Sequence, residues 1–424
     1  MSNPRTIVWF RQDLRLGDHP ALVAAAKRGE VIPVYLWAPA EEGDWPPGAA
    51  SRWWLHQSLT NLAAELQRVG SKLILRSGSS LACLENLVAE TGATAVYWNR
   101  RYEPAIVKRD QAIKQHLHDV GLDVQSFNGS LLFEPWEIEN KQAKPFQVFT
   151  PFWKNCLSRN ADLDPLAAPT NLPCPASWPV SDTLADWQLQ PTIAWDTGMR
   201  ETWSVGAAAA EQQLQQFVVA ACSNYQAGRN QLADDGTSRL SPYLHFGEIS
   251  PRQVWAETQA ALAAKKTAQA GAACFLSEIG WREFGYHLLF HFPKTTKKPL
   301  RKPFEKFPWS RSKKNLHRWQ RGQTGYPVVD AAMRQLWHTG WMHNRARMIV
   351  ASFLCKHLLI RWERGAEWFW DTLLDADLAS NTLGWQWTAG CGADAAPYFR
   401  IFNPITQGKK FDPEGTYIRR WVPE

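Results

Sequence analysis

The chain has 424 residues, with 47 Lys and Arg against 40 Asp and Glu for a formal charge of +7, and it carries 24 Trp. That length holds two or three domains and a full core without covalent staples, and the seven scattered Cys, with no C-x-x-C pair or Cys/His cluster at ligand spacing, argue against a disulfide framework or a structural zinc. No apolar stretch approaches the ~20 residues of a spanning helix, and charges at Arg11, Asp13 and Arg15 interrupt the N-terminus before a signal-peptide core can form, so the expectation is a cytoplasmic monomer with no membrane partner.

Residues 5–126 alternate in type. Apolar, β-rich runs at Thr6–Phe10, Val31–Trp37, Lys72–Leu75, Thr94–Trp98 and Leu122–Phe127 are separated by helical patterns such as Trp53–Val69 and Ile106–Val120. This order predicts a Rossmann-like, doubly wound parallel sheet, an α/β domain over residues 1–130. No G-x-G-x-x-G follows the first run; the residues after Phe10 are Arg-Gln-Asp-Leu-Arg, so the sheet brings no phosphate loop of its own. A connector over 131–205 follows, rich between 159 and 205 in Pro, Ser, Thr and Asp, whose prolines forbid long helices. From 206 to 424 the pattern is helical, at Ala207–Ala221, Pro251–Ala264, Ala272–Leu289, Pro327–Thr339, Asn344–Ile360 and Glu367–Leu374, which predicts an all-α second domain.

Charge divides the same way. Residues 1–200 are net −2 and residues 201–424 net +9, and the stretch 294–347 holds 14 Lys and Arg against only Glu305 and Asp330. Such a block would attract a phosphate backbone, although a solvated helix face accounts for it about as well. Trp rings offer flat stacking faces, and most of the 24 must also serve as core.

Six segments carry candidate chemistry. Thr237-Ser238-Arg239-Leu240-Ser241 sets three hydroxyls before a helix, either a phosphate cradle or an ordinary capped turn; Tyr225 and Arg229 lie just upstream. In Ser277–Phe284, Glu278 and Arg282 share a face at i,i+4, with Trp281 beside them. Trp341–Met348 leads into a helix, and its Arg347 is the expected partner of Asp375 in Asp375–Asn381, because a carboxylate on an apolar backdrop needs a cation. Trp385-Gln386-Trp387 and the loop Asp394–Pro404 supply rings and amides. No Ser/His/Asp, Cys/His or metal set emerges, so an organic cofactor would have to carry any demanding chemistry.

Taken together and in order, Trp9–Arg15, Thr237–Leu244, Trp281–Phe284, Gly325-Tyr326-Pro327, Gly340–Arg345 and Ala395–Pro404 resemble the DNA photolyase and cryptochrome family over the whole chain, most closely the microbial cyclobutane pyrimidine dimer photolyases. The resemblance implies an antenna domain, then a helical domain holding FAD in a folded form, and a reaction in which photoexcited reduced flavin passes an electron to a flipped-out dimer in UV-damaged DNA. It places Tyr225, Thr237, Ser238, Arg239, Leu240 and Ser241 on FAD, Asp375, Asp377, Arg282 and Arg347 near the flavin and ribityl side, and Asn381 against the flavin N5. Glu278, Trp281, Trp387, Asn344, Arg345, Met348, Arg229 and Gln407 are implied to meet the lesion or its backbone. Trp385, Trp362 and Trp309 match a tryptophan chain that photoreduces the flavin. Some relatives bind a folate antenna through an acidic and amide pair after the fourth strand. Here that segment reads Tyr102-Glu103-Pro104-Ala105-Ile106-Val107, which leaves methenyltetrahydrofolate, a deazaflavin, another flavin or no antenna all open. A signalling cryptochrome, a photolyase for six-four photoproducts and a light-independent nucleic-acid binder are the rivals. The residues Asn-Arg-Ala-Arg-Met at 344–348, without the His pair of six-four enzymes, favour the dimer.

Overall fold

The five β-rich runs pair side by side into one parallel sheet of order β3-β2-β1-β4-β5, with β1 Arg5–Phe10, β2 Glu30–Trp37, β3 Ile74–Ser77, β4 Ala95–Asn99 and β5 Asp123–Phe127. The computed structural model describes residues 3–395 and 400–424. Between the strands run α1 (Pro20–Arg28), α2 (Ala49–Arg68), α3 (Ser80–Thr91) and α4 (Pro104–Asp119). Register follows the alternation of side chains: Ile7, Trp9, Ile32, Val34, Ile74, Val96 and Trp98 pack with Leu84, Leu87, Ile113 and Leu117 of α3 and α4. The other face, with Val8, Phe10, Leu75 and Tyr97, packs on α1 and α2 and is continuous with the core of the second half through Tyr243, Phe246 and Phe275.

In such sheets a ligand crevice opens where the strand order reverses, here between β1 and β4. Side chains fill it. Arg11 bonds to Asp110 and to the Asn99 carbonyl, Asn99 Nδ2 donates to Asp13 at 2.8 Å, and His19 lies 3.1 Å from Asp13. The segment Trp9–Arg15 is thus a buried polar plug, and a nucleotide-like pigment would have to displace it.

Beyond the sheet come α5 (Phe149–Leu157), α6 (Thr197–Thr202), α7 (Ala207–Ala220), α8 (Tyr225–Gly228), α9 (Ser241–Phe246), α10 (Pro251–Ala263) and the 23-residue α11 (Gln269–His291). They are followed by α12 (Lys313–Gln320), α13 (Pro327–Thr339), α14 (Asn344–Ser352), α15 (Trp362–Thr372), α16 (Leu378–Ala389), α17 (Pro404–Phe411) and α18 (Thr416–Trp421). Helix α11 has no single apolar stripe and is buried along most of its length, as a central helix must be. The helix expected over Asn344–Ile360 is corrected: α14 ends at Ser352 and passes into a π turn, Phe353–His357, closed by a bond from Leu358 N to Phe353 O at 3.0 Å.

The halves are locked together by polar contacts as well as core. Trp54 Nε1 and Ser58 Oγ of α2 donate to Glu248 at 3.1 and 2.7 Å, Arg252 pairs with Asp18 at 3.0 Å, and the backbone N–H groups of Leu132 and Phe133 donate to Glu283 of α11.

Candidate active site

A cavity of about 550 Å³ opens among α8, α9, α11, α14, α15 and α16, within the ~300–1,000 Å³ typical of small-molecule sites. Every residue expected on a cofactor lines it: Tyr225, Thr237, Ser238, Arg239, Leu240, Ser241, Arg282, Arg347, Asp375, Asp377 and Asn381. So do Arg229, Glu278, Trp281, Asn344, Arg345, Met348, Trp385 and Trp387. Gln407 does not; it sits on α17, which the cavity meets only indirectly, through Arg345 lying 4.5 Å over the Phe411 ring. Trp362 and Trp309 lie outside as well, lining a separate pocket of about 210 Å³. Within the loop Asp394–Pro404, residues 396–399 fall outside the described residues.

Each wall has a local cause. At the hydroxyl end the chain turns at Arg239, whose φ of 52° is left-handed, and Thr237, Ser238 and Ser241, the first residue of α9, line the cavity. None of the three hydroxyls takes a protein partner among the described residues. Opposite, Asp377 caps α16, accepting from Ser380 N at 2.7 Å, while its other oxygen accepts from the Tyr286 hydroxyl. Arg347 meets Asp375, the partner expected from sequence, with two parallel bonds of 3.1 and 2.7 Å, a bidentate pair.

Asn381 Nδ2 donates to the Ala366 carbonyl at 3.1 Å. That bond fixes the amide's orientation, because a carbonyl can only accept, and leaves Oδ1 as an acceptor on the cavity side. Helix α16 also carries Gly384, where an added Cβ would meet nothing within 4 Å. Glycine inside a helix costs ~1 kcal/mol relative to Ala, and here it keeps the cavity open.

At the mouth, Trp281 stacks on Phe149 with centroids 3.9 Å apart and planes 9° apart. Glu278 pairs with Arg229, whereas Arg282 turns away and donates to Ser130 O at 2.6 Å. Glu278, Trp281 and Arg282 all line the cavity, as their shared helix face predicts, and the cation that meets Glu278 comes from 49 positions upstream, beyond the reach of helical spacing. Burial pushes the Glu278 carboxyl up and Arg229 pulls it back down.

Sequence reasoning passed over His245 and Phe369, which also line the cavity. His245 Nδ1 and Trp385 Nε1 are buried with no partner, and burial holds the imidazole below its ordinary range. His343, capping α14, is depressed to about 4 by burial and then by Arg345, Arg347, Arg239 and Arg229. Five guanidinium groups and three carboxylates line the cavity, an excess of positive charge that suits an anionic ligand. From the 294–347 block, Arg345 and Arg347 line the cavity.

The family model described as the FAD binding domain of DNA photolyase matches residues 275–424, and the DNA photolyase model matches residues 6–175. The chain is 49% identical to the deoxyribodipyrimidine photo-lyase of Agrobacterium fabrum over 99% of its length and 87% of that protein. It is 42% identical to cryptochrome-2 of Arabidopsis thaliana, over 99% of this chain and 70% of that one. The crystal structure of a class III photolyase from Agrobacterium tumefaciens superposes with a TM-score of 0.96 at 48% identity, covering 100% of this chain and 87% of that one. With the fold, the cavity and both family models in agreement, the chain belongs to the DNA photolyase and cryptochrome family.

Proposed function

We propose that this protein is a light-dependent DNA repair enzyme, a deoxyribodipyrimidine photo-lyase that binds FAD and splits cyclobutane pyrimidine dimers in UV-damaged DNA. The observation that carries the reading is one cavity with hydroxyls and a bidentate Arg–Asp pair inside and stacked rings with a carboxyl at its mouth. FAD, when bound, supplies a light-excited reductant that lends one electron to the dimer and receives it back. The unpartnered hydroxyls, the arginine field and the open space at Gly384 all fit such a dinucleotide.

The chain's own residues divide the work. Thr237, Ser238 and Ser241 hold phosphate, with Arg239, Leu240 and Tyr225 alongside; Arg347–Asp375, Asp377 and Arg282 hold the flavin and ribityl side. Asn381 Oδ1 accepts from a protonated ring nitrogen, which favours reduced flavin. Glu278 hydrogen-bonds the extruded bases, and Trp281 and Trp387 form their apolar wall. Arg229, Asn344, Arg345, Met348 and Gln407 hold lesion or backbone. Extrusion costs a few kcal/mol, least for a damaged pair. Trp385, Trp362 and Trp309 carry electrons inward from the surface.

We assign residues 1–130 to the antenna domain, 131–205 to the connector and 206–424 to the catalytic domain, in a monomer acting in the cytoplasm. The antenna pigment stays open, and the filled β1/β4 crevice argues against a site there. The test is illumination with blue light beside thymine-dimer DNA: monomers reappear in the light and not in the dark, and failure to restore them refutes the reading. The 42% identity to a cryptochrome favours one second reading, a photoreceptor that photoreduces its flavin and leaves dimers intact.

A further inference from the structure

Helix α15 has two working faces. Phe369, with Leu373 just beyond its end, lines the 550 Å³ cavity, and Trp362, Gly365 and Ala366 are buried behind them. On the opposite side, Arg361, Arg364, Trp368 and Asp371 recur at helical spacing and line a second, larger groove of about 1,010 Å³. Across that groove lie Arg311, Lys313, Lys314 and His317 on and before α12. Arg361 and Arg364 have carboxylate partners in Glu363 and Glu367, at 2.6 and 2.9 Å. Among the described residues Arg311, Lys313 and Lys314 have none, and all three are exposed.

The groove adjoins the outer tryptophans. Ser310 and Ile360 form a parallel bridge, with Ser310 N donating to Leu359 O at 2.7 Å. This bridge holds the two segments side by side at the boundary, and Arg361 lines both the groove and the small pocket containing Trp309 and Trp362. Trp309 is half-buried, whereas Trp362 is only 2% exposed. Arg311, Lys313 and Lys314 of the basic block line this groove, and Lys297 and Lys298 line the adjoining pocket with Trp309, so cations of the block flank the place where a half-buried tryptophan meets the surface.

We propose that this groove docks a small anionic one-electron donor that refills Trp309. The proposal rests on Trp385, Trp362 and Trp309 forming the inward electron route. Once an electron has moved inward, Trp309 is a radical cation and must be reduced from solution. Nearby cations disfavour that radical cation and so make its reduction more favourable, while the same field concentrates anions at the ring. With an enediolate donor the step balances: the ascorbate monoanion gives one electron to the Trp309 radical cation, leaving neutral indole, the monodehydroascorbate radical anion and one proton released to water.

Flash photolysis of the FAD-loaded protein tests this by following decay of the Trp radical with ascorbate or with an uncharged thiol as donor. Lys313→Glu/Lys314→Glu reverses exposed charge on one short helix. It should slow radical decay by ascorbate about tenfold or more at low salt, the scale of electrostatic steering, and leave decay by the thiol unchanged. Raising salt toward 1 M, where the screening length is ~3 Å, should erase the difference. A second readout needs no flavin chemistry: iodide quenching of Trp309 fluorescence, isolated as the difference from Trp309→Phe, should weaken in the double variant while quenching by neutral acrylamide does not. Equal slowing with both donors, or none, overturns the proposal, as does a reduced salt slope for binding undamaged DNA, which would make the groove a nucleic-acid surface. Photoreduction unaffected by Trp309→Phe would remove the electron route itself, an outcome distinct from failed docking because iodide quenching would still report anion affinity.

Discussion

Glu278 stands at the cavity mouth tethered to one cation, Arg229, with burial pushing its carboxyl up, so it is poised to share a proton or hydrogen bond with an extruded base. A hydrogen bond to a charged group is worth about 1.5–3 kcal/mol, so Glu278→Ala should weaken binding of dimer-containing DNA about 10- to 100-fold and lower repair yield. Flavin absorbance should stay near one per chain; loss of flavin would make Glu278 a structural residue. Gly384 gives the converse test. Gly384→Ala should raise the melting temperature of the flavin-free protein, since a helix interior gains up to ~1 kcal/mol on replacing Gly by Ala, while lowering affinity for FAD or lesion because the methyl enters the open space. An unchanged affinity would show that the ligands do not approach α16 there.

At the scale of elements, the α15–α16 contact sets the position of the inner tryptophan. A Cβ on Gly365 would lie 2.0 Å from Trp385 Cη2, so Gly365→Ala must displace that ring, at an overpacking cost of about 1–3 kcal/mol. Its melting temperature should fall and its photoreduction slow. Trp385→Phe should slow photoreduction too, with little loss of repair once the flavin is chemically reduced; unchanged photoreduction takes Trp385 out of the route. These two helices also mark where the sequence becomes hard to read. The strands and the helices with one apolar stripe, such as Pro327–Thr339, stand out by period. Helix α16 is buried on several sides and has no stripe to detect, and the π turn at Phe353–His357 interrupts an apolar run without Gly or Pro to announce it. Within the site, the hydroxyl segment and the Arg347–Asp375 pair are legible because burial chemistry demands them. The Arg229–Glu278 pair and His245 are not, since only the tertiary fold brings those residues to the cavity.

At the scale of the whole molecule, the sheet domain is fastened to the helical half by a carboxyl with no cationic partner. Glu248 is 1% exposed, accepts from the Trp54 and Ser58 side chains, and burial raises it to about 8. The folded protein therefore keeps this proton through a range in which the unfolded chain has lost it, and stability falls with rising pH wherever the native state binds more protons. The contribution of Glu248 is whole below about 4.5 and is lost as pH climbs to about 8. Glu248→Gln keeps one acceptor oxygen for Trp54 Nε1, turns its NH2 toward the Ser58 hydroxyl, whose oxygen can accept, and cannot ionise. Other groups titrate in the same interval, with His343 and His287 held near 4 acting in the opposite sense, so the raw profile is a sum. The difference between the two proteins isolates the one carboxyl. Melting temperatures measured from pH 5 to 8 should drop for the native sequence relative to Glu248→Gln, with the gap changing most steeply below pH 8 and levelling above it. A gap independent of pH would mean that Glu248 is ionised in the fold, and that water or a rearranged α2 solvates the seam between the two domains.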